Sequence, residues 1–126
     1  MSTPTGRRHR AARGAVTAEL ALVLPLLVAV TIGLVWLLAV GADQLRAVDA
    51  ARETARALAR GDAPEAAVAV GEQIAPEGAT VRVSTSGGQV HVTVTGEVAG
   101  PGGLFGSLPP AQLQAEAVAV VEEGAP

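Results

Sequence analysis

Glu19 is the ionisable side chain whose position most needs a chemical explanation. Between Met1 and Ala42 it is the sole acidic residue, and a charge-free apolar run starts directly after it at Leu20. A carboxylate one turn inside an apolar segment costs free energy unless it reaches water, takes up a proton or pairs with a cation. Glu19 therefore either lies at head-group depth and reaches water, or it binds a cationic partner.

The remaining reactive side chains do not suggest a catalytic or metal-binding set. The sequence has no cysteine and two histidines, His9 and His91, which fall before the apolar run and in a predicted strand. Disulfides, lipoprotein anchoring and thiolate or histidine metal sites are therefore not expected. The acidic residues after position 42 are scattered over predicted helix faces, without a nucleophile–base pair. We expect no enzyme activity, no metal and no cofactor.

The apolar run over residues 20–42 has the length and composition of a transmembrane helix. Thr31 is its sole polar side chain. About 23 residues, at about 1.5 Å of rise each, reach roughly 34 Å, which is enough to cross a bilayer core. We predict a transmembrane helix over residues 15–42, preceded by a disordered basic leader over residues 1–14. A secretory signal peptide fits less well, because the run is long and residues 39–41 form a weak cleavage site.

Charges on the two sides of the run predict its orientation. The leader before it carries four arginines with no acid among them, whereas Asp43, Arg46 and Asp49 form a mixed set after the run; the four are Arg7, Arg8, Arg10 and Arg13. The positive-inside rule then places the N-terminus in the cytoplasm and the C-terminus outside, with a single pass through the cell membrane. Trp36 either lies at the outer interface or faces lipid without a special role.

Small residues inside the run favour contact with another helix. Ala21, Pro25, Ala29 and Gly33 recur every four residues, and such a row allows close approach of a second helix. Pro25 also removes one backbone hydrogen bond, so a kink is predicted there.

The helix is predicted to continue beyond the membrane over residues 43–61. An apolar stripe at three- and four-residue spacing follows one side of this extension and must be covered by something, and Gly61 is a candidate C-cap. The members of this apolar stripe are Leu45, Val48, Ala51, Ala55 and Leu58.

We predict a small extracytoplasmic α+β domain over residues 62–126. A short second helix is expected from Asp62, as N-cap in a capping box with Glu65, to about Ala75, weakened by Gly71. Residues 80–85 and 90–98 alternate in polarity around a turn and predict a β-hairpin with His91 on its outer face. Residues 111–123 fit a third antiparallel strand, or a helix by propensity; we favour the strand because a lone hairpin is marginally stable. The intervening loop either folds its large apolar residues, Leu104, Phe105 and Leu108, back over the sheet or offers them to another subunit.

Three features of the chain carry a resemblance to a known family: the segment GAVTAELALVLPLLV, the segment AVDAARETARALARG and the small β-rich tail. By these features the chain resembles TadE-like minor pseudopilins of tight-adherence (Tad) pilus systems, particularly the short actinobacterial type. Gly14 followed after four residues by Glu19 resembles the processing site of type IV pilins. The resemblance implies cleavage by prepilin peptidase between Gly14 and Ala15. Leu20 stands where major Tad pilins usually carry tyrosine, which favours a minor component.

The resemblance also implies the partners and the role of the site. The new ammonium of Ala15 in a neighbouring subunit would pair with Glu19 and set the register of packed helices, with Pro25 in the same assembly surface. Other Tad pilins, the inner-membrane assembly platform and the peptidase are the implied partners. Nucleic acid is not expected, because eleven of the twelve acidic residues but five of the nine basic ones follow the apolar run.

Two other functions are compatible with the sequence. The chain could be an uncleaved single-span anchor whose outer domain binds a partner at the cell surface. It could also be an adaptor that binds an integral-membrane secretion component through the apolar stripe.

Overall fold

A computed structural model describes residues 5–121 of the chain, which divides into two compact units, Met1–Val35 and Trp36–Pro126. Helix α1, Thr5–Ala59, has 55 residues and confirms the predicted extension beyond the apolar run. It begins inside the basic leader, so the prediction of disorder is wrong for residues 5–14. This segment is rich in arginine and alanine and has no proline after Pro4, and it therefore favours a helix. Residues 1–4 of the leader lie outside the described part.

The first unit is helical over all its described residues, and its apolar side chains are exposed. Within the described part of the chain, no residue in the most apolar stretch of α1 is buried. This helix is long and apolar enough to span a membrane. The hydroxyl of Thr31 donates to the carbonyl of Leu27 at 2.8 Å, and that of Thr17 donates to Arg13 at 2.9 Å. Such bonds to the preceding turn remove most of the cost of placing a hydroxyl in lipid.

In the second unit, α1 ends at a glycine, as predicted. Gly61 has a φ of 92°, in the left-handed region that glycine adopts without strain. Its N–H donates to Leu58 at 3.0 Å, and the N–H of Asp62 donates to Ala57 at 3.1 Å. These two bonds form a Schellman motif, which satisfies carbonyls at the end of the helix.

Helix α2, Pro64–Ile74, begins after Ala63, and the predicted N-cap at Asp62 is wrong. Pro64 disfavours helical dihedrals at the residue before it, and Ala63 is accordingly extended, with ψ of 142°. The N-cap therefore falls on Ala63, whose side chain has no oxygen to accept a hydrogen bond from a backbone N–H of the first turn. No capping box forms. The Asp62 carboxylate lies 3.6 Å from the Arg60 guanidinium instead.

Three antiparallel strands, β1 (Thr80–Ser86), β2 (Gln89–Val98) and β3 (Ala111–Val120), form a sheet in the order β1-β2-β3. Residue 111 onward is thus a strand, which confirms the predicted α+β fold; residues 122–123 of the predicted strand lie outside the described residues. Val92 pairs with Val83 on one side and Ala117 on the other, so the apolar residues of all three strands share one face. That face includes the fully buried Val92 and Val94.

The buried face of α1 consists mainly of alanines that form one cluster with the valines of the sheet and with Ala67 of α2. Its helical members are Ala47, Ala50, Ala51, Ala55, Ala57 and Leu58. Small side chains allow the sheet to approach the helix closely. Leu45, which the sequence placed on this face, is 67% exposed, because it lies about 160° around the helix from Ala47 at about 100° per residue.

Candidate functional site

The residues predicted for processing lie on one exposed part of α1. Gly14, Ala15 and Glu19 are all exposed and helical. A Cβ added at Gly14 would have no neighbour within 4 Å outside the backbone of its own helix. Ala15 precedes Glu19 by four residues, so the two lie on the same face, one turn apart.

Glu19 has an apolar setting on this helix. The residues three and four positions away on its C-terminal side are Leu22 and Val23, both exposed and apolar. Within residues 5–121, the ion pairs of the structure include none made by Glu19. The structure thus leaves its carboxylate free for a cation from outside these residues.

The row of small residues is also accessible. Ala21 and Pro25 are exposed, and Ala29 and Gly33 are half-buried. Pro25 lacks the N–H that would bond the carbonyl of Ala21, and α1 continues through it. No described residue outside the helix covers the large apolar side chains of this stretch, so the surface can receive lipid or another helix.

The apolar stripe that follows the charge-free run is divided by the fold. Ala51, Ala55 and Leu58 are buried in the core of the second unit, Val48 is half-buried and Leu45 is exposed. The chain's own sheet therefore covers most of the stripe, and an adaptor role through these buried residues has no surface to act on.

Two side-chain contacts that the sequence did not predict join α1 to the hairpin of β2 and β3. The indole Nε1 of Trp36 donates to the carbonyl of Ala99 at 2.9 Å, and the amide of Gln44 donates to the carbonyl of Gln114 at 2.8 Å. Each joins residues more than sixty positions apart, so no local pattern could have identified the partner.

The loop between β2 and β3 displays two of its three large apolar residues. Leu104 is 78% and Leu108 is 46% exposed, so the alternative in which all three fold back over the sheet is wrong for these two. Phe105 is half-buried, and its carbonyl lies so close to Gly100 that an added Cβ there would be 2.7 Å away. The absence of a side chain at Gly100 therefore allows the loop to close.

His91 lies on the outer face of the sheet, as predicted. Its Nδ1 is 3.6 Å from a carboxylate oxygen of Glu116; His91 is half-buried, and Glu116 is exposed. Among the described residues, no group of three or more acidic, histidine or cysteine side chains is placed to hold a metal ion.

Comparison with known proteins finds one matching family and one similar curated protein. Residues 14–56 match the family described as TadE-like protein, so the predicted resemblance is confirmed over α1 from Gly14 to Arg56. The chain is also 41% identical over 81 residues to a Mycobacterium tuberculosis protein named apoptosis inhibitor Rv3655c. That match covers 64% of this chain and 58% of the mycobacterial protein, so the chain spans less than two thirds of this relative. No solved structure matches the chain.

Proposed function

We propose that this chain is a TadE-like pseudopilin, a structural and assembly component of a Tad-type pilus or pilus-like secretion system. The observation that carries the proposal is the match of residues 14–56 to the TadE-like family, on a helix whose apolar surface the described chain leaves uncovered. The role is structural rather than enzymatic. Its partners are other Tad pilins and pseudopilins, the inner-membrane assembly platform and prepilin peptidase.

The chain crosses the cell membrane once, with its N-terminus in the cytoplasm and its C-terminus outside. Four exposed arginines in the first turns of α1 support this orientation. Alkaline phosphatase fused after Pro126 is expected to be active, and a fluorescent protein that folds only in the cytoplasm is expected to be dark there. As a control, replacing the four arginines with glutamines should reduce phosphatase activity at equal expression. A fusion active only as the cytoplasmic reporter would overturn the orientation.

Cleavage between Gly14 and Ala15 gives Glu19 its partner. It removes the basic leader and creates an ammonium at Ala15, at the start of a helix with no other charge than Glu19 before Asp43. In an apolar packing of helices, an ammonium and a carboxylate each have a strong preference for a counter-charge. A neighbour displaced along the helix axis can supply that charge, and the pair then fixes the axial register between subunits.

A substitution series at Glu19 tests this role. Glu19→Ala should leave membrane insertion intact, since it removes a charge from an apolar segment, but it should impair co-assembly. Glu19→Gln keeps the size and loses the charge, so we expect it to behave like Ala, whereas Glu19→Asp keeps the charge with shorter reach and should fall between. The measurement is cross-linking to pilus components at equal membrane abundance.

Glu72→Ala is the matched control for the Glu19 series. Glu72 is exposed on α2 and makes none of the ion pairs among the described residues, so its loss should not change cross-linking. Equal cross-linking of wild type and Glu19→Ala would contradict the assembly role. If the mature chain begins at Ala15, equal cross-linking would mean that Glu19 bonds the ammonium of its own chain, one turn away. If the leader is retained, equal cross-linking would favour the uncleaved surface anchor.

A further inference from the structure

The loop that joins β2 to β3, residues 99–110, combines exposed leucines with an absence of charge. Leu104 and Leu108 project from it, and no charged residue occurs between Glu97 and Glu116. An uncharged surface with two exposed leucines is unusual for a segment surrounded by water, whereas it suits an interface with lipid.

The bond between Trp36 and Ala99 fixes the depth of this loop. Trp36 precedes Asp43, the first charged residue after the apolar run, by seven positions, or about 10 Å along the helix axis. If α1 spans the bilayer, Trp36 lies among the acyl chains of the leaflet at the C-terminal end of the apolar run, about 10 Å inside the position of the first charge. The carbonyl of Ala99, 2.9 Å from the indole nitrogen, lies at the same depth.

The direction of the hairpin places the loop on the membrane side of Ala99. Gln44 bonds Gln114, which pairs with Thr95 in the sheet. From Gln44 back to Trp36 the helix advances about 12 Å, and from Thr95 to Ala99 the strand advances about 13 Å. The two distances are similar, and each joins the Gln44 contact to the Trp36 contact. β2 therefore runs alongside α1 toward the apolar run, and the loop follows beyond Ala99.

The backbone of the loop is suited to a partly dehydrated setting. Three of its residues, Pro101, Pro109 and Pro110, have no N–H that would need a partner. Three further N–H groups are bonded inside the loop, those of Phe105, Gly106 and Leu108, at 3.1 Å each. Half of the twelve loop residues therefore have no backbone N–H that would lose a hydrogen bond with water when the loop enters the interface.

We propose that the loop over residues 99–110 is a second membrane contact, which inserts Leu104 and Leu108 into the leaflet at the C-terminal end of the apolar run. This inference rests on the proposed membrane span of α1. The insertion holds the sheet against the bilayer surface and so fixes the orientation of the outer domain relative to the membrane.

The test measures depth in lipid for the full chain reconstituted in phospholipid vesicles with nitroxide groups at known acyl positions. Trp36 is the single tryptophan and there is no tyrosine, so its fluorescence reports the base of the loop without a label. Because the chain has no cysteine, Leu104→Cys carries an environment-sensitive dye at one defined site. The matched control is Ser86→Cys, an exposed position at the end of β1, next to the turn at the opposite end of the sheet.

We expect the dye at position 104 to shift to shorter wavelength in vesicles and to be quenched by the same acyl-chain nitroxides that quench Trp36. The dye at position 86 should keep its aqueous emission. If Trp36 is quenched while the dye at 104 stays aqueous, or becomes shielded only when other pilus subunits are added, the second contact is overturned and the span stands. If Trp36 itself is not quenched, the membrane span and the loop insertion both fail.

Discussion

Gly14→Leu should abolish release of the leader in cells that contain prepilin peptidase, so that the full-length chain accumulates, whereas the wild type is expected to begin at Ala15. The bond after residue 14 lies in the middle of helical backbone, and a peptidase must open that helix to reach it. Glycine destabilises a helix by about 0.5–1 kcal/mol relative to alanine and offers no side chain to block access. Leucine removes both advantages. Intact mass of the membrane-extracted protein measures the outcome.

Gly14→Ala and Gly6→Ala separate processing from folding. Neither added Cβ would have a neighbour within 4 Å outside its own helix backbone, so neither change should disturb the fold. The peptidase should cut the Gly14→Ala variant more slowly than the wild type and faster than Gly14→Leu, whereas the Gly6→Ala variant should be processed normally. Finding wild-type chain with an intact leader in peptidase-containing cells would contradict the proposed site and leave the anchor function in its place.

Gly71→Ala should lower the free energy of unfolding by about 1–3 kcal/mol, the range for overpacking a close-packed core. A Cβ at this position would collide with the Thr54 hydroxyl and lie 3.4 Å from Val81. Thr54 is fully buried and its hydroxyl donates to the Ala50 carbonyl at 2.8 Å, so it cannot move into solvent. Thermal unfolding of the full chain in detergent, followed by circular dichroism, measures the loss.

Removing the colliding atom should partly rescue the variant. The double change Gly71→Ala with Thr54→Ala is expected to be more stable than the sum of the two single effects, since the residues are in direct contact. Gly41→Ala is the matched control, because a Cβ there meets nothing within 4 Å and alanine favours the helix. If the Gly71→Ala variant had the same unfolding temperature as the Gly41→Ala variant, α1 and α2 would not approach closely at Gly71.

Local patterns in the sequence determined the elements of this fold. The charge-free run, the helical extension to Gly61 and the two-residue alternation of the hairpin each express backbone periodicity over a few neighbouring residues, and the structure reproduces them. The candidate site at Gly14 and Glu19 is of the same kind, since spacing and polarity along one helix define it. Its roles in processing and assembly stay predictions, because they depend on other proteins.

Tertiary structure decided which side of each element is buried. Three- and four-residue spacing groups Leu45 with Ala51, but the buried face of α1 runs through the alanines from Ala47 onward, and Leu45 is left exposed. Gly71 was read as a weakness of α2, whereas it is the point where that helix comes closest to Thr54. Burial depends on where a partner element lies, and that position is not encoded in the periodicity of either element.

The contacts of Trp36 and the exposure of the β2–β3 leucines show the same limit over longer distances. The sequence established that an indole lies near the end of the apolar run and that a charge-free loop follows β2. That the indole bonds Ala99, 63 residues later, followed only from folding the sheet against α1. A hydrogen bond between distant residues depends on the packing of the whole unit, because neither residue carries a local signal of its partner.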